Sequence, residues 1–261
     1  MLIEFFKYQG AGNDFIILDN RRQKYDSLTT NQIKKLCDRH FGIGADGLML
    51  LNSSLKFDFS MTYFNSDGNE GTMCGNGGRC ITRFANDIKI INNKTTFEAI
   101  DGKHEAEILE NNTISLRMSN VDKVVKNEEG YILDTGSAHL VIFKNNIENI
   151  DIIKDARKIR YSKKYFNEGI NVNFVAIIDG DIYSRTYERG VENETLACGT
   201  GAVAVAISNY IRNGSKGDKN QIINAVGGKL EVQFDVEQNQ TFTNIYLTGP
   251  AEQVFTGKIE I

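Results

Sequence analysis

Two cysteines carry the most pointed chemistry in the chain. Cys74 opens Cys-Gly-Asn-Gly, and Cys198 opens Cys-Gly-Thr-Gly 124 residues later. A run of helical character follows each, Gly78–Ile88 and Ala202–Ile211. The start of a helix presents backbone N–H groups without intrahelical partners, worth about +0.5 charge, so it attracts anions and lowers the pKa of a nearby thiol from about 8.5. Glycines there let the backbone close on a ligand. Two such thiols on opposite sides of one carbon suit inversion of a centre next to a carboxylate. One thiolate takes a proton, the other thiol returns one on the far face, and the helix ends stabilise the charge that develops. That racemase or epimerase chemistry requires no cofactor. The other two cysteines read as packing residues: Cys37 on the apolar face of a helix over Asn31–Arg39, and Cys80 inside the run after Cys74. No Cys or His spacing completes a tetrahedral zinc site, and neither Gly-Lys-Ser/Thr nor G-x-G-x-x-G is present to cradle a phosphate.

The elements that must position these thiols form a repeat. Gly42-Ile43-Gly44 is answered by Gly169-Ile170-Asn171, and Gly102-Lys103-His104-Glu105 by Gly228-Lys229-Leu230-Glu231. The turn-rich segments Phe64–Glu70 and Tyr187–Glu194 precede the two cysteines. Gly10-Ala11-Gly12-Asn13-Asp14-Phe15 matches Thr135-Gly136-Ser137-Ala138-His139-Leu140 at nearly the same spacing. The order predicts an α/β (α+β) fold of two pseudo-symmetric lobes, each a mostly antiparallel or mixed sheet wrapped around a central helix. The lobes are expected over 1–118, with 250–261 as a returning strand, and over 119–249. Alternation predicts strands over Phe57–Phe64, Thr113–Met118, Asn173–Ile178, Lys229–Phe234 and Thr243–Leu247. Related by a pseudo-twofold axis, equivalent loops would meet across an interlobe cleft.

Composition narrows the class. The 261 residues are 41% hydrophobic and 25% charged, enough for a substantial core. Thirty basic against 34 acidic residues give a net charge of −4, which argues against a nucleic-acid partner. No apolar run approaches the ~20 residues needed to cross a membrane, and Met1-Leu2-Ile3-Glu4-Phe5 lacks signal-peptide character. Four cysteines are too few for a disulfide scaffold and fit thiols in a reducing cytoplasm.

The motifs together resemble diaminopimelate epimerase. Besides the two cysteine segments, the resemblance rests on Gly10–Phe15, on Asp38–Gly47 (Asp-Arg-His-Phe-Gly-Ile-Gly-Ala-Asp-Gly), on Phe64–Gly68 and on Glu188-Arg189-Gly190, in the family's order along nearly the whole chain. It implies conversion of LL-2,6-diaminopimelate to the meso form for lysine and peptidoglycan synthesis, without pyridoxal phosphate or metal, at a site between two lobes of a homodimer subunit. Carried over by position, Cys74 and Cys198 resemble the acid/base thiols. Gly75-Asn76 and Gly199-Thr200 resemble the turns that hold the reacting carboxylate. Asn13, Asn65 and Asn171 match substrate-binding asparagines, Glu188-Arg189 the pair at the distal end, and His139 with Glu188 groups that place or deprotonate a thiol. Where the family commonly reads Gly-Asn-Pro-His, this chain reads Gly136-Ser137-Ala138-His139, so a hydroxyl replaces an amide.

Two other readings stay open on the sequence. One is a racemase of another amino acid such as proline or histidine, against which Arg189 speaks, because a monocarboxylate offers it no distal acid. The other is a dithiol redox or ligand-sensing switch using the same two cysteines.

Overall fold

The computed structural model describes residues 1–261, which divide into two compact units: 1–116 with 249–261, and 117–248. In the first, β1 (Leu2–Gly10) and β2 (Asn13–Asp19) form a hairpin. Its two-residue loop, Ala11-Gly12, has φ values of 51° and 85°, the doubly left-handed turn that matches strand twist. Helix α1 (Thr30–Cys37) carries the chain to β3 (Gly47–Asn52), which pairs in parallel with β2. Thr29 caps α1 reciprocally with Gln32, and Ile33, Leu36 and Cys37 form its buried stripe. β4 (Phe59–Asn65) runs antiparallel to β3, and β5 (Glu70–Gly71) folds back on β4. Helix α2 (Gly75–Asp87) then leads to β6 (Lys94–Ala99), parallel to β4, followed by the antiparallel β7 (Gly102–Ile108) and β8 (Ile114–Arg117). The last strand of the chain, Glu252–Glu260, returns to pair antiparallel with β1.

The second unit repeats this topology. β9 (Val124–Lys126), β10 (Tyr131–Asp134) and β11 (Ala138–Phe143) are antiparallel neighbours. Helix α3 (Ile152–Arg160) crosses to β12 (Asn171–Ile178), parallel to β11, and β13 (Asp181–Glu188) and β14 (Asn193–Thr195) follow antiparallel. Helix α4 (Gly199–Arg212) leads to β15 (Asn220–Ala225), parallel to β13, then to the antiparallel β16 (Gly228–Val236) and β17 (Phe242–Gly249). The returning strand is β18. In each unit one helix thus joins the two strands of the first parallel pair, β2–β3 or β11–β12, and a second, after β5 or β14, packs against strands from several parts of the unit.

The apolar stretch Ala202–Ile207 is buried throughout, as the all-apolar pattern requires of a helix enclosed by sheet. Strand β12 is buried over Asn171–Ala176, because paired strands flank it and α3 and α4 pack on it. Both helices after the cysteines begin three residues earlier than the sequence predicts, so the Cys-Gly-x-Gly glycines form the first helical turn and not a loop before it. Absent Cβ atoms obscure the periodicity at those positions, which is why pattern alone starts the helices late. Helix α3 goes unread in the sequence, although Asp151 caps it by accepting from Lys154 N at 3.1 Å.

Candidate active site

Cys74 is the N-cap residue of α2, with extended backbone (φ −99°, ψ 139°), and its Sγ accepts the Gly77 N–H at 3.4 Å. Gly75 and Asn76 fill the first two helical positions, where N–H groups have no partner within the helix. Cys74 Sγ donates to Asn13 Oδ1 at 3.6 Å, and Asn76 Nδ2 donates to the same oxygen at 3.2 Å. Asn13 Nδ2 in turn donates to Asp46 Oδ2 at 2.5 Å. Asn13 and Asn76 are therefore gathered around the first thiol by the hairpin turn and the helix start.

A charged cluster stands behind them. Asp14 pairs with Lys7 at 2.6 Å and with Arg39 at 2.6 Å, and Arg39 also holds Asp46 at 2.7 Å. Burial alone would raise the Asp14 carboxyl, but its hydrogen bonds to Arg39 and Lys7 prevail and hold it at about 2. Lys7 also donates to the Gly44 carbonyl. Asn65 ends β4, and its Nδ2 lies where a Cβ on Gly71 would come within 2.8 Å.

Cys198 is the N-cap of α4, again extended (φ −115°, ψ 115°), but its side chain makes no cap bond. Thr200, at the second helical position, sets its Oγ1 3.4 Å from Cys198 Sγ and 2.9 Å from His139 Nε2. The tautomer of His139 follows from its neighbours. Leu140 O can only accept, so Asn173 presents Nδ2 to it at 3.2 Å, and the same nitrogen donates to His139 Nδ1 at 3.1 Å. Nδ1 is thus the acceptor, and Nε2–H donates to Thr200, whose hydroxyl is left to donate toward the sulfur. His139 is fully buried, and that burial, with the Arg189 charge adding to it, lowers its pKa to about 3. The imidazole is neutral at physiological pH and reaches Cys198 through Thr200.

The remaining candidates in this unit interlock. Asn171 Oδ1 accepts the Arg189 N–H at 2.8 Å, which turns its Nδ2 toward Ser137 Oγ at 2.7 Å. Ser137, the departure from the family pattern, therefore orients Asn171. Thr195 Oγ1 donates to Glu188 Oε1, and an Arg189 guanidinium N–H donates to Glu168 O at 2.7 Å. Gly169, at φ +72°, makes room for the Arg189 stem, because a Cβ there would lie 2.5 Å from Arg189 Cδ. Gly201 does the same for the thiol. A Cβ on it would sit 2.6 Å from Asn173 Oδ1 and 3.3 Å from Cys198 Sγ.

Sequence reasoning singled out Asn13, Asn65, Asn76, Asn171, His139, Glu188 and Arg189. It missed Asp46, Asn173, Thr186 and Arg79. Asn173 had a signal, since it is two residues after Asn171 on a strand and shares its face. Thr186 secures it by donating to Asn173 Oδ1 at 2.9 Å. Arg79 and Asp46 lie inside segments that carried the family resemblance without being weighed singly.

The family model for diaminopimelate epimerase matches residues 5–124 and 131–254. The diaminopimelate epimerase of Flavobacterium psychrophilum is 54% identical over 97% of this chain and 98% of its own length. That of Aquifex aeolicus is 38% identical over 98% of each. Among solved structures, a PhzF-family phenazine biosynthesis protein of Bacillus anthracis superposes with a TM-score of 0.76 at 17% identity, covering 100% of both chains. A probable proline racemase of Agrobacterium radiobacter K84 gives 0.69 at 14% identity, over 99% of this chain and 92% of that one. At such identities these two share the fold alone. With the family model running through both units and close relatives aligned end to end, the chain belongs to the diaminopimelate epimerase family.

Proposed function

We propose that Cys74 and Cys198 are the two acid/base groups that interconvert LL- and meso-2,6-diaminopimelate. As a member of its family the chain is an isomerase. The observation that carries the assignment of roles is that both thiols are N-caps of topologically matched helices, α2 and α4. One thiolate removes the α-proton while the other thiol protonates the opposite face. The N–H groups at Gly75-Asn76 and Gly199-Thr200 take the α-carboxylate, where helix ends stabilise the carbanion as its charge moves onto oxygen. Asn13, Asn65 and Asn171 hold the ammonium and carboxylate groups through their amides. Glu188 and Arg189 read the distal, unreacting end, Arg189 by gripping its carboxylate in the bidentate geometry that guanidinium favours. His139 acts through Thr200 to place the second thiol. A homodimer in the cytoplasm completes the reading.

The test is deuterium uptake from solvent at the α-carbon of diaminopimelate, under reducing conditions that keep both thiols free. Exchange with stereochemical inversion is expected. Absence of exchange from fully reduced protein rejects the reading, and full activity in reductant argues against a switch that works through Cys74–Cys198 oxidation.

A further inference from the structure

The turn that carries Arg189 is held by a residue the mechanism above does not use. Glu192 closes the turn between β13 and β14 with a left-handed backbone, φ +56°. Turn chemistry favours Gly, Asn or Asp at such a position, because a bare Cα or a short polar side chain tolerates it. A glutamate there must be explained by its side chain. The carboxylate folds back over its own turn and takes four donors. Oε1 accepts the Gly190 N–H at 3.2 Å and Arg160 Nε at 3.3 Å, and Oε2 accepts the Tyr187 hydroxyl at 2.8 Å and the Tyr161 hydroxyl at 3.0 Å. The Glu192 N–H closes the turn on Glu188 O at 2.8 Å, and its carbonyl accepts from Arg157 at 3.3 Å. Burial alone would raise this carboxyl, but the hydrogen bonds from Tyr187, Gly190 and Tyr161 and the Arg160 charge prevail and hold it below the ordinary range, so it is ionised.

Most of these donors come from one helix. Arg157 and Arg160 lie three apart on α3 and Tyr161 caps its end, so they share a face and reach the turn together. Arg160 also donates through Nη1 to the carbonyls of Tyr165 and Phe166, at 3.2 and 3.3 Å, which fixes the segment leading to Glu168 and Gly169. Arg189 rests on that segment. Its guanidinium donates to Glu168 O at 2.7 Å, and a Cβ on Gly169 would meet both Arg189 Cδ at 2.5 Å and Arg160 Cζ at 2.9 Å. The Glu192–Arg160 pair thus ties together the turn that carries the Arg189 backbone and the loop that supports its side chain. Of the two neighbouring guanidinium groups, Glu192 compensates that of Arg160. Arg189 meets a neutral carbonyl and keeps its charge for an anionic partner.

The matched turn of the first unit is built differently. Between β4 and β5 the Gly68 N–H closes on Asn65 O at 2.9 Å, and Asp67 accepts the Asn69 N–H at 2.9 Å, bonds that stay within the turn.

We propose that Glu192 is a positioning residue for recognition of the distal carboxylate: by joining the 188–192 turn to α3 through Arg160, it fixes Arg189 where that residue selects a dicarboxylate amino acid. This rests on the role given to Arg189 above. An arginine held by a preformed loop grips a carboxylate without first losing the freedom of a long side chain, so the effect falls on substrate affinity and leaves proton transfer at the thiols largely as it is.

The experiment is steady-state kinetics of the full-length protein with LL-diaminopimelate, with a calorimetric Kd in place of KM for any variant too slow to give one. Glu192→Ala is expected to raise KM about tenfold and to lower kcat by less than about threefold. Glu192→Gln, which keeps an acceptor oxygen but not the charge, should raise KM less. In an Arg189→Ala background the Glu192→Ala change should add little to KM, because the group it positions is gone. An unmoved KM in folded Glu192→Ala overturns the proposal, as does a kcat loss larger than the KM rise, or the same KM factor with and without Arg189. Should Glu192→Ala fail to fold, Glu192→Gln carries the same comparisons. If Arg189→Ala itself binds diaminopimelate as tightly as the wild type, the distal role given to Arg189 fails; if Arg189→Ala weakens binding and the Glu192 variants do not, this assignment alone fails.

Discussion

Where the first unit carries Asp14, Asp46 and Arg79, the second carries His139, Asn171 and Val203, 124 or 125 residues further on. The backbones at these places are alike. In both units a hairpin precedes a parallel strand pair, and in both a cysteine caps the following glycine-rich helix. The side chains differ in kind: Asn13 with the carboxylates Asp14 and Asp46 stands behind Cys74, whereas a hydroxyl, a neutral histidine and asparagines adjoin Cys198, with the Arg189 charge acting on that histidine. Duplication supplies two thiols in equivalent frames, but equivalent frames with equivalent surroundings would hold both thiols in one protonation state. On the two-thiol reading proposed above, inversion needs one deprotonated and one protonated, and the difference in surroundings is what would turn a repeat into an acid/base pair.

The largest test of that comparison is removal of each thiol in turn. Cys74→Ala and Cys198→Ala are each expected to lower kcat by about 10³-fold or more, within the range for losing an acid/base group, read by formation of meso-diaminopimelate from the LL form. A variant at either position that keeps wild-type kcat breaks the pairing.

Acid titration separates the halves next. His139 is neutral in the fold down to about pH 3, whereas an unfolded histidine takes up a proton near pH 6.5. Between those values the unfolded chain binds more protons, so stability falls as pH falls, by about 1.4 kcal/mol per unit. Asp14 works lower down. Its folded pKa of about 2 lies below the unfolded value, so its contribution is present above about pH 4 and is lost as pH falls through 2. Urea melts across pH should therefore show an upper limb flattened by His139→Gln and a lower limb flattened by Asp14→Asn.

Matched glycines give a smaller contrast. Gly201→Ala drives a Cβ to 2.6 Å from Asn173 Oδ1, whereas at the equivalent Gly77 the nearest atom is the flexible Met49 Sδ at 3.3 Å. Gly201→Ala is expected to cost about 1–3 kcal/mol and to loosen the His139 network, and Gly77→Ala less than about 1 kcal/mol. Thermal melts with a kcat measurement decide it, and equal costs would blur the distinction between the two helix starts. The smallest effect is at Cys37, which packs among Ile33 and Leu36 with its pKa pushed up to about 12 by burial. Cys37→Ala should lose about 1 kcal/mol of stability and no activity, checked by the same pair of measurements.

Much of this was legible in the residues themselves. The paired Cys-Gly-x-Gly segments and the strands over Asn173–Ile178 and Lys229–Phe234 act over a few neighbours, so local pattern reports them directly. Helix α3 was not, because five of its nine residues are charged, which masks the apolar positions Ile152, Ala156 and Ile159 at helical spacing. Nor were the partners of the thiols. Asn13 lies 61 residues from Cys74, and His139 lies 61 from Thr200, separations over which no periodicity carries information.

The sequence alone determined that the chain has two cysteines, each opening a glycine-rich segment that leads into a helix, in a duplicated mixed α/β framework, because glycine-rich starts and apolar stripes are set by residues close in the chain. It did not determine the charge state around each thiol. Whether a histidine is neutral, which way an amide points and whether an arginine has a counter-ion depend on burial and on neighbours brought from distant strands. Those are properties of the packed structure, and only the tertiary structure could decide them.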